Sequence, residues 1–122
     1  MMKADARQLV ERFAESIVKQ LEATFAGDVK TAVYQGKRRL PIAKRLMRLG
    51  DEAKEQFATL FQHPNRIVRV AAAVYLFSSM PERTVAALRE IAEGHDFAAH
   101  CAELRIKQWE EHPEQYDDSN WA

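Results

Sequence analysis

Glycine and proline occur only four times each in these 122 residues, and they punctuate the chain into helical lengths. Gly27, Gly50 and Gly94 each close a run of helical periodicity, while Pro64, Pro81 and Pro113 stand where one run stops or the next begins. Glycine ends helices because it takes the left-handed backbone without a Cβ penalty; proline does so by barring the residue before it from the helical region. The 19 Ala beside so few Gly and Pro point to helices, and the runs between the breaks carry apolar residues every three or four positions, so the chain is predicted to be all-α.

The first run places Leu9, Val10, Phe13, Ala14, Ile17, Val18, Leu21 and Phe25 on one face of a long amphipathic helix. Asp28 is predicted to cap a second helix with Val29, Ala32 and Val33 as a short apolar face before Gly36 interrupts the pattern. Pro41 is placed in the first turn of a new helix running to Leu49, with a single kinked helix from Asp28 as the alternative. Asp51 begins a helix with Ala53, Phe57, Leu60 and Phe61 inward, ended by His63-Pro64. Asn65 caps a helix from Ile67 to Phe77 that is apolar almost all round and is expected to be central. Ser79 and Pro81 open the next, with Val85, Leu88, Ile91 and Ala92 inward. Asp96 caps the last, whose inward residues are read as Phe97, Cys101 and Leu104, with Ala98, Ala102 and Trp109 on an adjoining strip. His112-Pro113 ends it. Residues 114–122 lack periodicity and read as a frayed acidic tail, so the domain is bounded at residues 1–113.

The punctuation repeats. Asp51 and Pro81 lie 30 residues apart, and Asn65 and Asp96 lie 31 apart, the spacing of a stack built from helix pairs. Within this frame the stretch from Leu60 to Leu76, with Val68-Arg69 followed by Ala72-Ala73, resembles a HEAT-type repeat. The later stretch through Ala87, Leu88, Ile91, Ala102, Leu104 and Trp109 is similar to the following half of small bacterial HEAT-like domains of unknown function. The resemblance implies a short right-handed α-α superhelix of about six helices acting as an interaction module, with no catalytic residues to carry over. The second unit has Ala98-Ala99 where the family pattern has Val-Arg.

The 18 basic and 18 acidic side chains cancel, which excludes a uniformly basic nucleic-acid tail and an acidic disordered chain. The cancellation is uneven. Residues 29–50 hold Lys30, Lys37, Arg38, Arg39, Lys44, Arg45 and Arg48 with no acidic residue, while Glu110, Glu111, Glu114, Asp117 and Asp118 gather near the C-terminus. On a helix from Pro41, Lys44, Arg45 and Arg48 share about 100° of arc, opposite Ile42, Leu46 and Leu49. Arg66 and Arg69 are candidates to extend this stripe, which reads either as a partner-binding surface or as a solvated helix face. Arg69 has the further alternative of tying one repeat to the next. Trp121, in a polar tail, reads as a docked side chain or an exposed anchor for a partner.

Enzymatic and metal chemistry find little support. His95 and His100 diverge by about 140° on a helix, and no His or Cys pair has zinc-like spacing. His63 and His112 precede prolines at helix ends, where capping is the simpler role. Cys101 aligns with Phe97 and Leu104 as a small core residue; a lone cysteine forms no internal disulfide. The longest apolar run, Val70 to Phe77, is far short of a membrane span, and the N-terminal stretch is amphipathic rather than signal-like. The expectation is a cytoplasmic, non-enzymatic module without cofactor, metal or membrane partner. It would bind another protein through Lys44, Arg45, Arg48, Arg66, Arg69 and Trp121. A bacterial adaptor or toxin-immunity role is a special case by analogy. Binding of nucleic-acid backbone by the same cations is the alternative.

Overall fold

The computed structural model describes residues 2–117, with side chains from residue 5 onward. Trp121 and Asp118 therefore lie outside the described residues. The fold is all-α: helices α1 (Met2–Phe25), α2 (Val29–Arg48), α3 (Asp51–Ala58), α4 (Arg66–Leu76), α5 (Pro81–Ala92) and α6 (Phe97–Glu111), with 3-10 turns at Thr59–Gln62 and Pro113–Tyr116. The described residues contain no strand. The helices fall into two compact units, Met1–Phe57 and Ala58–Ala122.

In the first unit α1 and α2 form an antiparallel hairpin. Gly27, at φ 75°, turns the chain: the Asp28 amide donates to the Ala23 carbonyl at 2.8 Å and the Gly27 amide to Thr24 at 3.2 Å, the two bonds of a Schellman ending. Asp28 then caps α2 by accepting from the Thr31 amide at 3.1 Å. Phe13, Ile17 and Ala14 of α1 and Ala43, Leu46 and Met47 of α2 are buried. Phe57 of α3 meets Phe13 edge to face, with ring centroids 4.8 Å apart.

Helix α2 corrects the expected breaks at Gly36 and Pro41: it runs through both as one helix, the alternative that the sequence left open. Pro41 is exposed, while Gln35, Ala43, Leu46 and Met47 are buried on other sides of α2. Proline has no amide to bond the Lys37 carbonyl, and both residues are exposed, while residues before and after the proline are buried on the inner face.

In the second unit α4 packs against α5, α6 and the 3-10 turn that precedes it. Asn65 caps it as predicted, accepting from the Ile67 and Val68 amides at 2.9 and 3.3 Å. Thr84 is fully buried in α5, although the sequence pattern pointed to Val85; its hydroxyl donates to the Leu76 carbonyl at 3.2 Å, which satisfies it locally. Helix α6 corrects the expected inward face. Ala98, Ala99 and Ala102 are buried, whereas Phe97 and Leu104 are 69% and 53% exposed and Cys101 is half-buried. The small residues mark the packed side of the helix. The tail boundary also shifts, because Pro113–Tyr116 is a helical turn and Tyr116 is buried. Its ring lies 4.6 Å from Phe77, which stacks on Trp109 at 5.0 Å, and its hydroxyl donates to Gln108 Oε1 at 2.7 Å.

Phe57 has no exposed surface, so Phe57→Ala removes both its burial and its ring contact with Phe13. The expected loss of stability in urea denaturation is about 3–5 kcal/mol. A loss below about 1 kcal/mol would show that this packing does not hold the first unit together.

Candidate functional site

Because α2 is continuous, its cations align over its whole length. At 100° per residue Lys30, Lys37, Lys44 and Arg48 occupy an arc of about 40°, and Arg45 lies within about 60° of its edge. Lys30, Lys37, Arg45 and Arg48 are exposed and Lys44 is half-exposed. None of the five pairs with a described carboxylate. The line from Lys30 to Arg48 is about 27 Å long at 1.5 Å per residue.

The other two cations of the segment are engaged in the hairpin. Arg38 Nη1 donates to Glu15 Oε1 at 3.1 Å and to Gln35 Oε1 at 3.2 Å, and Arg39 donates to Gln20 Oε1. Gln20 lies over Gly36, where an added Cβ would stand 3.1 Å from its Nε2. The bonds from Arg38 and Lys19 hold the Glu15 carboxyl below its ordinary pKa. The segment of seven cations thus divides into two that join α2 to α1 and five that face outward.

Apolar side chains accompany the five. Val33 and Leu40 flank the cation line on one side and Tyr34 and Pro41 on the other, all exposed. At the hairpin turn Phe25 and Val29 are 88% and 72% exposed. Leu40, Pro41, Lys44, Arg45 and Arg48 line an open concavity. Lys44, Arg45 and Arg48 are brought together as expected. Lys30 and Lys37 were missed, although their seven-residue spacing to Lys44 is visible in the sequence, because a helix starting at Pro41 cannot include them.

Arg66 and Arg69 have contacts within the second unit. Arg66 donates Nε to Asp96 Oδ2 at 2.8 Å and Nη2 to the Ile91 carbonyl at 2.7 Å, and Arg69 donates Nε to the His63 carbonyl at 2.5 Å. The Arg66 guanidinium passes Gly94 where an added Cβ would be 2.5 Å from Nη2. Asp96 also accepts the Ala99 amide at 2.9 Å. One carboxylate thereby caps α6 and anchors α4.

Comparison with protein-family models, curated proteins and solved structures found no match. His95 and His100 are exposed, and no group of three His, Cys, Asp or Glu suited to a metal occurs among the described residues. His63 Nδ1 accepts the Asn65 amide at 2.9 Å, so the ring supports the turn entering α4. His112 Nδ1 lies 3.3 Å from Glu114 Oε1 at the surface. No helix is long and apolar enough to cross a membrane among the described residues. A second concavity, lined by Pro81, Glu82, Val85, Ala86, Arg89 and Trp109, lies in the second unit.

The Arg66 guanidinium, followed by the Ala99 amide, holds the Asp96 carboxyl below its ordinary pKa. A depressed carboxyl pKa adds stability above the unfolded value of about 4, and that stability is lost as pH falls through the folded value. Asp96→Asn keeps an oxygen for the cap and removes the charge. Thermal melts followed by circular dichroism should show a lower Tm for the variant at pH 7 and convergence with the parent near pH 2. An equal gap at both pH values would show that the charge of Asp96 contributes nothing.

Proposed function

We propose that this chain is a non-enzymatic protein-binding module whose partner docks on the outer face of α2. The observation that supports this reading is the row of five cations, unpaired among the described residues, set among exposed Val33, Tyr34, Leu40 and Pro41. Binding surfaces combine desolvated apolar and aromatic anchors with charges that select and orient the partner. This face holds both on one helix. The HEAT-like reading agrees with the near-equal spacing of the helix caps, and the Arg66–Asp96 pair joins corresponding helix starts of the two predicted units. A cytoplasmic adaptor or toxin-immunity role is one form that such a module takes.

Binding of nucleic-acid backbone through Lys44, Arg45 and Arg48 is the second reading, favoured by their charge. It leaves Val33 and Leu40 without a matching surface, and α2 itself offers one aromatic ring, Tyr34, for base stacking.

The two readings separate in fluorescence anisotropy. The probes are a labelled peptide of Glu and Leu and labelled duplex DNA and RNA, at about 50 mM salt, where phosphate contacts are strong, and about 150 mM, where they are weaker. The peptide should bind, Arg45→Glu with Arg48→Glu should weaken it at least about tenfold, equivalent to about 1.4 kcal/mol, and the duplexes should not bind. Duplex binding that weakens steeply with salt, without peptide binding, would replace the protein reading by the nucleic-acid one.

A further inference from the structure

The protein-binding reading leaves the form of the partner open, and the spacing on α2 narrows it. Lys30, Lys37 and Lys44 recur every seven residues, with Val33 and Leu40 at the same interval on one flank and Tyr34 and Pro41 on the other. Seven residues of helix advance about 10.5 Å and return to nearly the same face. An α-helix lying alongside presents its own side chains at that step. An extended strand advances about 3.3 Å per residue with its faces alternating, so same-face carboxylates that meet Lys30 and Lys44 stand about 3–4 Å out of step with Lys37.

We propose that the outer face of α2 receives an acidic amphipathic α-helix of a partner protein. Carboxylates two turns apart oppose Lys30, Lys37 and Lys44, and apolar side chains of the docked helix cover Val33 and Leu40. A second copy of this chain does not fit by the same face, because a two-fold pairing sets the cations of one α2 against those of the other. The cation line also runs between two apolar columns. A helix lying in an anionic lipid surface has the reverse order, one apolar face inserted with cations around it.

The proposal rests on the protein-binding reading, and its test separates the failure of each. Three labelled peptides of about 24 residues, enough for three heptads, serve as probes. One carries Glu at seven-residue intervals beside a Leu column, the second is a scramble of the same composition, and the third replaces the phased Glu with Lys. Anisotropy gives affinity and circular dichroism gives helicity. Vesicles containing phosphatidylserine and duplex DNA are the competing surfaces.

The phased Glu peptide should bind at least about tenfold more tightly than the scramble, a difference of about 1.4 kcal/mol, and gain helicity on binding. Lys37→Glu with Lys44→Glu should abolish this binding, and the Lys peptide should restore it to that variant, a rescue that a misfolded variant would not give. Equal binding of phased and scrambled peptides overturns the helix proposal and leaves protein binding standing. Binding only to vesicles or duplex, or to none of the probes, overturns both.

Discussion

The packing of α2 against α1 across Pro41 is the constraint on which the surface of the first unit depends. A proline inside a helix removes one hydrogen bond and crowds the preceding turn, a cost of about 3 kcal/mol or more when the helix stands alone. Here it lies on the exposed side, and buried residues before and after it, Gln35 on one side and Ala43, Leu46 and Met47 on the other, keep the axis continuous. Were α2 broken at Pro41, Lys30 and Lys37 would turn independently of Lys44 and Arg48. The long charged face is thus a consequence of tertiary packing that overrides a local helix breaker.

The same hairpin decides which charges remain available. Arg38 and Arg39 are drawn toward Glu15 and Gln20 by their positions beside α1, and Gly36 lets Gln20 come close. Exposed ion pairs such as Arg38–Glu15 add little stability individually; the buried Ala43, Leu46 and Met47 lie on the packed side of α2. In the second unit Arg66 is engaged likewise, with a different partner. Its path to Asp96 passes close over Gly94, where an added Cβ would push the end of the guanidinium aside, so the glycine after α5 leaves room for the arginine that links α4 to α6.

Much of this fold was legible because helix ends are local. Asp28, Asn65 and Asp96 each accept backbone amides of their own helices, and these short-range bonds are encoded by residue type within three positions. What was hidden depends on contacts far apart in sequence. The α6 pattern offered Phe97 and Leu104 as core, yet the alanines are buried. Tyr116 follows a proline and sits among acidic residues, so only the Phe77 and Trp109 rings explain its burial. Of the candidate site, Lys44, Arg45 and Arg48 were legible from charge and spacing; Lys30 and Lys37 were not, because the tolerance of Pro41 is a property of packing.

Charge neutrality of the whole chain therefore says little about its surfaces. Carboxylates that pair, such as Glu15 and Asp96, are placed where they brace helices, and their depressed pKa values follow from those cations. The face of α2 has no carboxylate of its own from Val29 to Arg48. Two of its cations, Arg45 and Arg48, also oppose the negative end of the α2 dipole in the last turn. That role accounts for positive charge at the helix end. It does not reach Lys30, which lies in the first turn where the dipole is positive and a cation is unfavourable. The helix dipole therefore gives no reason for Lys30, whereas the proposed acidic helix, lying along the whole face, would.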